Sequence, residues 1–330
     1  MGAQNGTVLA APRRRTAGVL AVALVAVLAL ALVLVGVTWW RDDTDRVPAA
    51  DDYVAIDEVP RVASSPAPGP DASTGTFVSR CGRNEDGHQN WDNLIVSPGE
   101  RDAAHHLHEY VGNTATDALA TDDRLTAAGT TCSNGDPSAY YWPVLRDLGE
   151  DGGATERYGN EGVPLDPVSV HIEYRGNAAS EVVPLPRFLR MVTGDSRAAT
   201  SDVPAATPRW SCSGDEDRHT ARYPLCPDDE LAVRTFDFPS CWDGRRLDSP
   251  DHRSHVVFPS ANGVCPDGTF AVPQLRLQVA YDVPPGRSFA IDSMPEQARS
   301  PRTDHADFVN VMPEALMAEV VACLNEGQAC

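Results

Sequence analysis

Lysine is absent from the 330 residues, so every fixed positive side chain is an arginine. We read this as a coding bias, not as a mechanistic feature. Positive charge is scarce overall: 27 basic residues face 47 acidic ones, for a formal net charge of -20. Arg13, Arg14 and Arg15 are the only charged residues among the first 40, so the remainder carries -23. That balance excludes the basic footprint a nucleic-acid binder needs. It also keeps an exported domain soluble and repels anionic polymers. Several signatures are missing too: a G-x-S-x-G elbow, a Walker loop, a dinucleotide fingerprint and an H-E-x-x-H helix. No C-x-x-C pair occurs, which argues against a zinc–thiolate site. There is no internal repeat.

One long apolar run is present. Residues 17–38 are uncharged and almost all Ala, Val, Leu and Gly. About 20 such residues span a bilayer core as a helix. A cleaved signal peptide would have a shorter apolar region and a small-residue cleavage site, whereas Trp39-Trp40-Arg41-Asp42-Asp43 follows here. The paired tryptophans suit the headgroup layer, and the three arginines before the run place the N-terminus in the cytoplasm. The expectation is a single-pass membrane anchor with the rest of the chain extracellular.

All eight cysteines lie after the anchor, and an even count outside the cytoplasm points to disulfides. Eight cysteines allow 105 pairings. Proximity along the chain favours Cys212–Cys226, Cys241–Cys265 and Cys323–Cys330, leaving Cys81 with Cys132. Residues 39–76, rich in Asp, Ala, Pro and Ser, read as a disordered extracytoplasmic tether. The folded domain is expected over 77–330. Val168, Val170, Ile172 and Tyr174 alternate as one face of a strand, as do Leu275, Leu277, Val279 and Tyr281. Stretches 182–192, interrupted by Pro184 and Pro186, and 231–238 read as edge or bulged strands. A helix is expected after Pro313, with Leu316, Val320, Cys323 and Leu324 on one face and Gly327 at its end. A weaker helix is expected over 115–128. The class is β-rich α+β: a sandwich-like antiparallel core with long disulfide-tied loops and a C-terminal helix, preceded by one transmembrane helix.

Most of the nine histidines fall in three polar motifs. The first is His105-His106-Leu107-His108-Glu109-Tyr110. The second is Asp248-Ser249-Pro250-Asp251-His252-Arg253-Ser254-His255, and the third is His305-Ala306-Asp307-Phe308. In extended chain, residues two apart share a side, so His106 with His108, and His305 with Asp307, form same-side pairs. Imidazole nitrogens and carboxylate oxygens are the ligand set of Zn²⁺, Mn²⁺, Fe²⁺ or Cu²⁺. The same groups also serve as metal-free acid–base pairs or as plain loop structure. The expected metal ligands are His106, His108, His252 and His255, with His305, Asp307 and Asp251 as catalytic candidates. Trp242 could stack on a sugar ring, and Asp243 could bind hydroxyls or cap a turn. His171 is expected to be exposed or packing on the opposite face of its strand.

The chain resembles the DUF1996 family, a secreted domain of fungi and actinobacteria sometimes found beside WSC carbohydrate-binding modules. The resemblance is carried by Phe77-Val78-Ser79-Arg80-Cys81, His106-Leu107-His108, Gly112-Asn113-Thr114, Thr130-Thr131-Cys132, Asp136 and Ser138-Ala139-Tyr140. It continues through Arg190-Met191, Gly194-Asp195, Phe238-Pro239-Ser240-Cys241-Trp242-Asp243-Gly244 and Leu247 to His252. Ser254-His255, Cys265-Pro266, Pro273-Gln274-Leu275 and His305-Ala306-Asp307-Phe308 complete it. Relatives usually have Ser, Asp and Phe where this chain has His105, Glu109 and Tyr110. They tend to have Gly-Trp after the last motif, where Val311-Met312 stands here. The resemblance implies an extracellular location and a link to cell-wall or extracellular polysaccharide. It adds Tyr140 and Asn113 to Trp242 and Asp243 as candidate substrate contacts. The resemblance supplies no reaction; the histidines make a metal-dependent hydrolase acting on that glycan the leading expectation. The alternative is a non-catalytic glycan-binding or envelope-organising module with structural histidines.

Overall fold

The computed structural model describes residue 2 and residues 48–62, 66–149, 157–200 and 208–330. The expected anchor, 17–38, lies outside the described residues, and among those described no helix is long and apolar enough to cross a membrane.

Two five-stranded antiparallel sheets face each other. The first runs Arg209–Cys212, Ala232–Asp237, Gln274–Tyr281, Ser169–Arg175, Thr76–Ser79. Its alternation is the one the sequence carries. Leu275, Leu277, Val279 and Tyr281 point inward, while Arg276 and Gln278 face out. His171 pairs with Gln278 on the outer face and is exposed, as expected. The second sheet runs Gln89–Asn90, His108–Gly112, Ala139–Pro143, His305–Val309, Arg190–Gly194. Between the sheets lie Tyr140, Trp142, Met191, Ala306 and Phe308 from one side, and Ile172, Tyr174, Phe236, Leu277 and Tyr281 from the other. The Tyr140 and Tyr174 hydroxyls meet across this core at 2.6 Å. Burying aromatic side chains of this size supplies much of the stabilisation of such a core.

The four disulfides are Cys81–Cys132, Cys212–Cys226, Cys241–Cys265 and Cys323–Cys330, the pairing that proximity favours. A domain closed by four disulfides belongs to an oxidising compartment outside the cytoplasm. The C-terminal helix is Glu314–Asn325, with Met317, Val320, Cys323 and Leu324 buried.

Four expectations are corrected. The 231–238 stretch is neither edge nor bulged: Ala232–Asp237 pairs in unbroken register with Arg209–Cys212 on one side and Gln274–Tyr281 on the other. The 39–76 stretch is not tether throughout. Tyr53–Ala55 forms a strand parallel to Tyr223–Leu225. Tyr53 is 3% exposed and donates its hydroxyl to the Phe289 carbonyl. Val54, Ile56 and Val59 pack on Cys212. The short apolar run in 53–59 was outweighed by the polar composition around it. In 182–192 only the end is strand, within Arg190–Gly194. Pro184 and Pro186 withhold donors, and Phe188 adopts φ 68, so Val182, Leu185 and Leu189 enter the core from a loop. The helix expected over 115–128 is only Asp122–Ala127, capped by Thr121.

Candidate metal centre

The second sheet has two unlike faces. One faces the main core. The other carries His108, Tyr110, Tyr141 and Asp307, because side chains alternate and register partners share a face. His108–Gly112 and His305–Val309 both pair with Ala139–Pro143, one on each side, and both begin at the same end of the sheet. His106 lies just ahead of the first of these strands. The arrangement brings His106, His108 and His305 together, all buried.

Nε2 of His106 lies 3.0 Å from Nε2 of His108 and 3.2 Å from Nε2 of His305. Nδ1 of His108 is 2.9 Å from the Asp92 carbonyl oxygen, and Nδ1 of His305 is 2.9 Å from that of Thr303. A carbonyl only accepts, so each Nδ1 carries the proton and each Nε2 of the neutral ring presents a lone pair. His106 can send one N–H to one of these neighbours and no more. The other neighbour's lone pair is then left without a donor, unless a cation sits among the three. Two nitrogens bound tetrahedrally to Zn²⁺ at about 2.0–2.1 Å stand about 3.3 Å apart, close to what is found. Nδ1 of His106 lies beside the Ala104 backbone without a hydrogen bond of normal geometry.

Burial pushes all three imidazoles down, His108 to about 3, His305 to about 4 and His106 well below the ordinary value. Protons therefore compete weakly with a metal at neutral pH. His305 is held from behind by its neighbour Asp304, whose carboxylate takes Arg234 at 2.5 and 3.1 Å in a buried pair. Gly194, opposite His305 in the ladder, has φ +78. A Cβ there would stand 2.2 Å from the Asp304 carbonyl, so only glycine allows this approach.

The centre opens on a cleft of about 240 Å³ whose lining includes His106, His305, Asp307, Arg197 and the run Asp251-His252-Arg253. Asp307 is fully buried, and neither carboxylate oxygen has a hydrogen bond of normal geometry, although Asn93 and Arg253 stand near. Burial pushes it up to about 8. His252 adopts φ 55 and holds Asp248 through Nδ1 at 3.0 Å.

A family model for a domain of unknown function, DUF1996, matches residues 93–311, more than half of the chain and all of the histidine motifs. The chain belongs to the DUF1996 family. No curated protein and no solved structure matches it.

In this DUF1996 protein the remaining candidates are distributed as follows. Among the described residues, the metal-ligand cluster of histidines is His106, His108 and His305, not the set with His252 and His255. His252 lines the cleft wall. His255 is buried, with Nε2 donating to the Arg190 carbonyl at 2.7 Å and Nδ1 at 2.9 Å from Ser249 Oγ, so it fastens the loop. Asp251 lines the cleft, but its Oδ1 is engaged by Ser249 and Ser254 of its own loop. Tyr140 is buried between the sheets with its hydroxyl on Asp136 and Tyr174. Asn113 is buried and bonds the Leu125 and Pro137 carbonyls. Asp243 caps a turn through the Arg245 and Arg246 amides, and Trp242 bonds the Arg246 carbonyl. None of these four lines the cleft. Sequence reasoning missed Arg197 and an aromatic lip that reaches the cleft through His105 alone: His105, in the cleft wall, lies 4.8 Å from the Tyr158 ring, which lies 5.6 Å from Trp91, both outside the lining. The adjacent His105-His106 was the only local sign of the lip.

Proposed function

We propose that His106, His108 and His305 hold one divalent transition metal. We further propose that the protein is a metal-dependent hydrolase of extracellular or cell-surface glycan, tethered through residues 17–38. The observation that carries this reading is the approach of the His108 and His305 Nε2 atoms to within 3.2 Å of His106 Nε2, both with tautomers fixed by backbone carbonyls. Three histidines with an open side is the ligand pattern of a catalytic centre, whereas structural sites are closed by four protein ligands. The all-imidazole set suits Zn, Cu or Fe better than Mn. A metal held there supplies Lewis acidity, which polarises an ester or glycosidic centre and makes water a better nucleophile near neutral pH.

The chain's own residues supply the rest. Asp307, buried and facing the cleft with no hydrogen bond of normal geometry on either oxygen, is the acid–base group. The rings of His105, Tyr158 and Trp91 offer a partly exposed surface on which a sugar can stack.

The test is metal content of the purified full chain, with His106→Ala and His305→Ala alongside. About one metal per chain is expected, falling to under a tenth in either variant while circular dichroism stays unchanged. A wild-type chain that takes up no divalent metal would sink this reading and leave the glycan-binding module, for which the aromatic lip is the supporting feature.

A further inference from the structure

Three neutral imidazoles leave the charge of a divalent ion uncompensated. The other charged groups lining the cleft are Arg197, Arg253, Asp251 and Asp307. The groups are not equally available, however. Asp251 is turned to its own loop: its Oδ1 takes the Ser249 hydroxyl at 2.7 Å, the Ser254 amide at 3.0 Å and the Ser254 hydroxyl at 2.9 Å. Among the described residues, the guanidiniums of Arg197 and Arg253 have no ion pair and no hydrogen bond. Arg146, Arg234 and Arg276, by contrast, are each engaged by a carboxylate. Arg253 also stands close to the centre. Beyond burial, which dominates both groups, its charge is felt by His305 and Asp307.

We propose that this cleft recognises a dianionic tetrahedral oxyanion, a phosphate monoester on an otherwise neutral carrier such as a glycan, with Arg253 and Arg197 as specificity-determining residues. A phosphate monoester is a dianion near pH 7 and matches the two guanidiniums of Arg197 and Arg253, whereas a carboxylate leaves one unmatched. The planar guanidinium fork fits phosphate oxygens in pairs. The rest of the molecule limits the carrier. A net charge of -20 repels a polyanion at long range, so the anionic group is an isolated one. The inference rests on the metal centre proposed above.

The test is calorimetric titration of inorganic phosphate, and separately acetate, into the full chain loaded with one equivalent of Zn²⁺. Arg253→Gln and Arg197→Gln are compared with Arg287→Gln, an exposed position outside the cleft that removes the same charge. Wild type and Arg287→Gln should bind phosphate alike and at least tenfold more tightly than acetate. Loss of a charge-assisted contact should weaken phosphate about tenfold in Arg253→Gln and several-fold in Arg197→Gln. Equal phosphate affinity in wild type and Arg253→Gln, no phosphate binding by the metal-loaded chain, or acetate bound as tightly as phosphate would overturn the inference. Metal content is measured on the same samples. If wild type retains no zinc, the metal reading has failed. Phosphate binding by the metal-free chain then decides alone: loss in Arg253→Gln supports the arginine site, and its absence overturns it.

Discussion

At the scale of single residues, backbone carbonyls decide what the histidines are. The Asp92 carbonyl takes both Nδ1–H of His108 and the Tyr110 hydroxyl, at 2.9 and 3.0 Å. Asp92 is itself fixed, because its carboxylate accepts the Asp102 and Ala118 amides. Such partners orient a ligand before any metal arrives. Asp307 is the opposite case, a buried carboxyl with no hydrogen bond of normal geometry. Its value near 8 lies far above the ordinary carboxylate value, so the folded state binds its proton more tightly than the unfolded state. Stability is then lost as pH rises toward 8. Asp307→Asn removes that titration. In chelator-treated protein it should raise unfolding free energy at pH 8 by a few kcal/mol and leave it nearly unchanged at pH 4, by urea titration. The variant should keep its metal and lose hydrolytic turnover. Equal stability of the two proteins at pH 8 would mean that Asp307 is hydrated and ionised.

At the scale of elements, the site is made by strand order. The alternation that makes Gln274–Tyr281 and Ser169–Arg175 strands is plain in the sequence, and so is the pairing of His305 with Asp307 on one side. The disulfide pairing is legible for the same reason, since near neighbours close small loops. Which histidine motifs meet is not local information. It depends on Ala139–Pro143 lying between His108–Gly112 and His305–Val309, a pairing across more than a hundred residues. His252 and His255 miss the centre because their loop turns through φ 55 at His252 and is fastened by His255 itself. The strand Tyr53–Ala55 was hidden by the acidic and proline-rich sequence around it. Its packing gives a direct test. Tyr53 packs on Tyr223 with the rings tilted, centroids 5.1 Å apart, and meets Phe289 edge-on at 5.7 Å. Tyr53→Ala should cost about 3–5 kcal/mol, the usual range for truncating a buried aromatic. A tether residue would cost nothing. Chemical denaturation with unchanged midpoint in the variant would return 48–62 to the tether.

At the scale of the whole molecule, buried titratable groups of opposite kind should set an optimum of stability in metal-free protein. His108 and His305 are held neutral by burial, at about 3 and 4, and His106 lies well below the ordinary imidazole range. His219, lowered to about 4 by burial and the adjacent Arg209, acts in the same direction. All four take up protons near pH 6.5 once unfolded, so their stabilisation is complete above 6.5 and is lost as pH falls, down to about 4 for His305 and His219 and lower still for His108 and His106. Asp307, near 8, and Glu109, raised by burial to about 7, work the other way, because folding holds their protons. Their contribution is lost as pH rises toward 8. From pH 6.5 to 5.5 the four imidazoles outnumber these two carboxyls, and above 6.5 the carboxyls act alone. Unfolding free energy of the chelated chain should therefore peak near pH 6.5 and fall on both sides. Added metal changes the two limbs differently. It binds only neutral imidazole, so it raises the plateau and steepens the acid limb. A cation beside Asp307 favours its charged form, so the alkaline limb flattens. Urea titrations from pH 5 to 8.5, with and without zinc, read both limbs. A metal-free profile that rises steadily across the range would contradict the buried, proton-holding carboxyls. One that is flat below pH 6.5 would contradict the buried neutral histidines.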